Sequence, residues 1–240
     1  MTALLVFLMA AGTIDPGTPD QKHLDYGQKF ECVARLSCLD KATGKPAWAS
    51  CVIIGPKHVV TAAHVVDNAE AWVVHIGDDK FPLAEVFVHD NFRKTGVGCC
   101  DIAVGRVMGS KEFGLSFYPA LYGHEDEVGK VVSICGHGIA GTFLTGSVLA
   151  DGKKRAGSNV VDYIDSNGLM VCSVGSGVKT ELEYLISPGD SGGGLFIGNE
   201  LAGINSVVMA TGRSPMSKLG DESGHTRISR HKEWIREHTK

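Results

Sequence analysis

No stretch of this 240-residue chain reaches the ~20 consecutive apolar residues of a membrane span. A basic excess is missing too: 23 Lys+Arg stand against 27 Asp+Glu, a formal net charge of −4. That balance excludes a strongly basic nucleic-acid binder, and no dense acidic block marks a charge-driven tail. There is no Cys-x-x-Cys, and none of the ten histidines sits at zinc-finger spacing from a cysteine pair. A structural metal is therefore not expected, nor is any cofactor. Internal repeats and low-complexity runs are also lacking. In their place stand a 43% hydrophobic content, enough for a sizeable core, and 31 glycines. That is about 13%, nearly twice the ordinary share of roughly 7%. With no Gly-X-Y period, the excess reads as many tight turns in a β-rich globular protein.

Residues 3–11 (ALLVFLMAA) are apolar and end in small residues. The length suits a short signal-peptide core, although no Lys or Arg precedes it. Export is the reading, with residues 1–13 as the leader, residues 14–240 as the mature chain, and a secreted or periplasmic location. Seven cysteines make an odd set that cannot all pair within one chain. Cys38 and Cys51 flank a turn at Thr43-Gly44-Lys45 and either face each other across a hairpin or lie as buried free thiols. The vicinal pair Cys99-Cys100 lacks a chelating spacing, which disfavours a metal or redox protein.

Short apolar segments bounded by turn residues predict strands at 32–39, 51–54, 59–61, 72–76, 102–107, 131–135, 141–149, 169–174, 194–197 and 201–208. This spacing favours an all-β sandwich or barrel over βαβ units. One helix is expected at 230–238, with Ser229 as its N-cap and Trp234 and Ile235 on its docking face. The polar, turn-rich residues 117–129 predict a link between two halves.

Three segments carry chemistry. Pro188-Gly189-Asp190-Ser191-Gly192-Gly193-Gly194 surrounds a serine with glycines. Serine is a poor nucleophile until a base takes its proton, so Ser191 needs a histidine in reach. The flanking glycines let a substrate chain approach, and the Gly189 and Ser191 N–H groups suit a developing oxyanion. Upstream, Thr61-Ala62-Ala63-His64 places a histidine after a strand and two small residues. Between them, Cys100-Asp101-Ile102-Ala103-Val104 opens an apolar strand on an acid. Each segment alone has a plain reading as a turn, a packed histidine or a cap.

The order His64, Asp101, Ser191 separates the chain from subtilisin-like and α/β-hydrolase arrangements. With its TAAH, DIAV and GDSGG motifs, the chain from about residue 27 onward resembles the trypsin/chymotrypsin family of serine peptidases. The resemblance implies an all-β fold of two packed six-stranded antiparallel β-barrels, trypsin-like, with a C-terminal helix. The barrels fall at about 27–117 and 130–228 and the helix at 229–239. It implies a serine endopeptidase acting on polypeptides through an acyl-enzyme. Ser191 is then the nucleophile, His64 the general base and Asp101 its orienting acid, with Gly189 and Ser191 forming the oxyanion hole. Neither nucleic acid nor stable membrane association is implied, and a catalytically silent binding protein on the same fold is the alternative. Asp190 implies a partner in a newly exposed N-terminus, for which Ile14 is the apolar candidate. Ser206 implies support of Asp101, and Val207 and Val208 a pocket wall. The position six before the serine is Leu185, followed by Ile186, which implies an apolar pocket floor and an uncharged P1 side chain. His225 reads as a pocket-lining or a surface residue, with the surface preferred.

The chain also departs from the family. Val65 stands where a cysteine usually follows the histidine, Ser187 replaces another cysteine, and Gly194 replaces a proline. No Ile-Val-Gly-Gly activation sequence is present.

Overall fold

A computed structural model describes residues 12–175, 178–210, 212 and 214–240. The expected leader falls almost wholly outside the described residues. Among those residues, no helix is long and apolar enough to cross a membrane.

Six strands close a barrel in the order Val33–Asp40, Pro46–Gly55, His58–Thr61, Ala103–Val107, Asp79–Val88, Ala69–Ile76. Side chains alternate across these strands. Cys51, Ile53, Val59 and Ala103 enter the barrel's own core, while Val52, Val60 and Val104 face the second half. Burial on both faces explains why the sequence reads as continuous apolar runs rather than as alternation.

The second half is a curved antiparallel sheet. Its order is Arg155–Val160, Val131–Gly136, Gly194–Ile197, Glu200–Met209, Glu222–Arg227, Met170–Ser173, Tyr163–Ile164. Its end strands do not pair with each other. A small sheet of Gly146–Leu149, Ala140–Thr142, Thr13–Ile14 and Tyr184–Leu185 packs beside it, so the segment expected as one strand at 141–149 is two, turned at positive-φ Gly146. The architecture is all-β, one closed barrel and one half-barrel.

Besides four two-residue strands, three longer ones fall outside the expected segments. Asp79–Val88 holds Pro82, and Arg155–Val160 and Glu222–Arg227 hold small and polar residues. These are carried by ladder pairing rather than by propensity. The helix Asp20–Gly27 was missed as well, because its buried face is built from His23 and Gly27 instead of aliphatic residues. The C-terminal helix is shorter than expected, Lys232–Glu237 after a 3₁₀ turn at Ile228–Arg230. Ser229 does not cap it, since its hydroxyl donates to Glu127 instead. Ile235 is buried between the two halves, with Trp234 packed beside it.

All seven cysteines are free thiols. Cys38 lies opposite Ala47 and Cys51 opposite Ala34, so the register separates the two thiols and rules out the hairpin bridge. Burial pushes the thiols of Cys32, Cys51, Cys135 and Cys172 up, so they stay neutral.

Residues 117–129, expected as a link, carry the short strand Ala120–Leu121, which pairs with Glu200 and Leu201 of the second sheet. Glu127 there is buried and accepts from Arg227 Nε (3.1 Å), Arg227 Nη2 (2.8 Å) and Ser229 Oγ (2.7 Å). Burial opposes its ionisation, but these partners outweigh it and hold the carboxyl below its usual range. Glu127→Ala strands a buried guanidinium whose other carboxylate, Glu125, is 3.9 Å away. The expected loss is about 3 kcal/mol, read as a lower urea midpoint at unchanged slope.

Candidate active site

His64 and Asp101 meet because of strand pairing. Strand His58–Thr61 runs antiparallel to Ala103–Val107, with Thr61 opposite Ala103. The residues just after the first strand and just before the second therefore emerge at the same barrel end. Ala62 and Ala63 are fully buried, and their small size brings the short helix Ala63–Val66 down onto the barrel. His64 N–H donates to Asp101 Oδ1 (2.9 Å), and His64 Nδ1 lies 2.8 Å from Asp101 Oδ2. With Nδ1 carrying the proton toward the carboxylate, Nε2 presents a lone pair, and it lies 2.9 Å from Ser191 Oγ.

Asp101 is fully buried and draws on the second half of the fold. Ser206 Oγ donates to its Oδ2 at 2.5 Å, and Thr226 Oγ1 donates to its carbonyl. A register shift in strand Glu200–Met209 between Asn205 and Val207 turns Ser206 out of the ladder toward Asp101. His64 remains about a third exposed, open to a substrate.

Ser191 sits on the loop before strand Gly194–Ile197. Gly192 is at φ +83, and a Cβ there would lie 2.1 Å from Thr61 Oγ1, so only glycine lets this loop seat against the strand leading to His64. The Pro188 carbonyl accepts from Ile139 N–H (2.8 Å), which points the Gly189 N–H the opposite way across a trans peptide. Asp190 N–H is taken by Ser187 and Gly192 N–H by Asn205, whereas those of Gly189 and Ser191 have no acceptor among the described residues.

The intervening Asp190 points into the protein and is fully buried. Its Oδ2 accepts from Gly12 N (3.0 Å) and Ser187 N (2.9 Å), and its Oδ1 from Gly138 N (2.8 Å). Tyr184 Oη lies 3.3 Å from both oxygens. Burial without a cation raises this carboxyl to about 6 against the pull of those donors. The nitrogen reaching Asp190 belongs to Gly12, not to Ile14. Ile14 is committed to the strand Thr13–Ile14, opposite Tyr184, with its side chain in the second core.

A cleft of about 380 Å³ opens beside Ser191, lined by Ile186, Val207, Val208, Met216, Val97, Ser187, Pro188 and Ser206 besides the His64 and Ser191 side chains. Leu185 is not on this lining. It is buried behind it, packed with Phe143 and Val174, because it belongs to strand Tyr184–Leu185 rather than to the loop that follows. A second cleft of about 240 Å³ also borders Ser191 and His64 and is lined by Trp48, Ala49, Val65 and Gly189. His225 is fully buried, not at the surface, with Nδ1 on Asn205 Oδ1 and Nε2 on Ser223 Oγ. Desolvation drives it down to about 3, so the ring stays neutral. Among the described residues, no group of His, Cys, Asp or Glu is placed to hold a metal ion.

The chain is similar to known serine proteases in sequence and in fold. The chain is 26% identical over 214 residues to a protein named serine protease SSP1 from Scolopendra subspinipes, across 78% of this chain and 72% of that one. Among solved structures, HL collagenase superposes with a TM-score of 0.67 at 18% identity, covering 88% of this chain and 94% of that one. Mouse neuropsin, described as a serine protease, gives 0.66 at 18%, covering 86% and 94%. An inactivated protease paralogue of the scabies mite gives 0.64 at 15%, covering 89% and 96%, so the fold alone does not establish turnover. The family model described as Trypsin matches residues 24–235. Spanned by that match over most of its length, the chain belongs to the trypsin family of serine-type endopeptidases.

Proposed function

We propose that this protein hydrolyses peptide bonds through Ser191, with His64 and Asp101 completing its triad. The observation that carries the reading is the chain of contacts Ser191 Oγ to His64 Nε2 (2.9 Å) and His64 Nδ1 to Asp101 Oδ2 (2.8 Å). As Ser191 Oγ attacks the scissile carbonyl, His64 Nε2 takes its proton, and buried Asp101 stabilises the imidazolium. The carbonyl oxygen, now an anion, accepts from the N–H groups of Gly189 and Ser191. The protonated His64 then gives its proton to the leaving amine, and the C–N bond breaks to leave an acyl-Ser191. Water, deprotonated by the same Nε2, releases the acid and restores the serine. Ser206 supports Asp101 in this scheme.

The cleft beside Ser191 receives the P1 side chain. Ile186, Val207, Val208 and Met216 form its walls, and no Asp or Glu faces it among the described residues. An aliphatic P1 group buries apolar surface there, while a P1 Lys or Arg loses its hydration without gaining a counter-charge. Tetrapeptide p-nitroanilides varied only at P1 test both points. The expected kcat/KM for P1 Leu, Val or Met exceeds that for Arg or Lys by about 100-fold or more. Equal rates would remove the specificity reading, and no turnover of any peptide would remove the peptidase reading. Residues 3–11 of the sequence support a site of action outside the cytoplasm, with polypeptides as the substrates met there.

A further inference from the structure

Ser50 lies within the first-barrel strand Pro46–Gly55 and is fully buried, yet its polar atoms serve the catalytic loops. Its N–H donates to the Ser191 carbonyl (2.9 Å), and its carbonyl accepts from Thr61 Oγ1 (2.8 Å). Its hydroxyl donates to the Gly189 carbonyl (2.9 Å) and accepts from His137 N–H (2.9 Å). One oxygen thus spans the Ser191 loop and the segment behind it, using its proton on one and a lone pair on the other. Gly189 stands at φ +97 and has no side chain to fix it. The peptide before it is held by Ile139 N–H on the Pro188 carbonyl, and the peptide after it by Ser50 on the Gly189 carbonyl.

We propose that Ser50 is a positioning residue that latches the oxyanion loop from across the barrel interface, through the Gly189 carbonyl. The proposal rests on the peptidase reading of the same site. Ser50 touches no reacting atom and acts by keeping the Gly189 N–H aimed where negative charge develops. That contribution is worth more in the transition state than in the bound substrate, so it belongs in kcat rather than KM. Without the hydroxyl, the Gly189 carbonyl and the His137 N–H are both left unpaired in a buried site, and the loop relaxes toward other partners.

Ser50→Ala in the full chain tests this, since alanine fits the strand. The expected result is a kcat lower by about tenfold with KM unchanged, beside a lower thermal midpoint from the two unpaired groups. A peptide aldehyde, whose adduct carries the oxyanion, weakens by the same factor. The activity-independent readout is hydrogen exchange, where the His137 amide exchanges faster while the amides of Ala103–Val107 keep their protection. An unchanged kcat and unchanged His137 exchange overturn the proposal, as does a fall in kcat/KM carried by a rise in KM with kcat unchanged. If the parent protein fails to cleave any peptide, the peptidase reading fails by itself, and the exchange measurement alone decides whether Ser50 latches the loop.

Discussion

Ser191→Ala is expected to lower kcat by about 10⁴- to 10⁶-fold and to leave the thermal midpoint near that of the parent. The range is that of triad hydrolases deprived of one member, roughly 5–8 kcal/mol of barrier. It is large because the hydroxyl supplies both the attacking atom and the proton that His64 accepts. The fold survives because Ser191 keeps its main-chain role, its carbonyl accepting from Ser50 N–H, whatever its side chain. Residual hydrolysis comes from substrate binding and from the Gly189 N–H. His64→Ala falls by a comparable factor rather than by a further multiple in the double variant, since the two residues act as one unit. Turnover undiminished in a clean Ser191→Ala preparation would show that the loop is only a tight turn.

The second large effect belongs to Asp190 and the nitrogen of Gly12. With an ordinary peptide N–H at Gly12, Asp190 is a buried carboxylate that holds five donors and, among the described residues, no cation. Its carboxyl sits at about 6 against an unfolded value near 3.8. A folded value raised above the unfolded one means that its contribution is full below about pH 4. It is then lost as pH rises through about 6, by about 3 kcal/mol in all. Cleavage before Gly12 converts the same nitrogen, 3.0 Å from Oδ2, into an ammonium. The carboxyl then falls below its unfolded value, and the sign reverses, with stability present above about pH 4 and lost on acidification. A chain beginning at Gly12 is therefore expected to be more stable at pH 7 than one extended beyond it, and to titrate with more active sites. One beginning at Ile14 lacks the nitrogen altogether. Asp190→Asn lowers kcat/KM by about 10²- to 10³-fold, the scale of losing an oxyanion donor, although the triad is untouched. Equal active-site titres for extended and Gly12-initiated chains would discard activation by cleavage and leave Asp190 satisfied by its local donors.

Some of this was legible in the sequence and some was not. Ser191, His64 and Asp101 stand out because their three segments occur together in one order, although each alone reads as a turn, a packed histidine or a cap. The strand Gly194–Ile197 has the expected bounds, and those beside His64 and Asp101 differ from expectation by one residue each. What escaped depended on pairing between distant segments. Leu185 was placed by counting back from the serine, but a strand rather than a loop holds it, so it turns into the core. His225 looked polar enough for the surface, yet Asn205 and Ser223 satisfy both ring nitrogens inside the sheet. Ile14 was chosen for its apolar character, whereas the contact to Asp190 is made by a backbone nitrogen, which carries no side-chain signal. Ser50 gave no local hint either, since its role exists only once the two halves meet.

A fluorophosphonate probe tests the central claim most directly, because it phosphonylates a serine only where a base and an oxyanion site act together on it. The expected result is one mole of probe per mole of protein, located by peptide mapping on Ser191 and lost in His64→Ala. No labelling of a protein shown to be folded and to carry a free Gly12 amino group would contradict it, and would place this chain with the silent members of its fold.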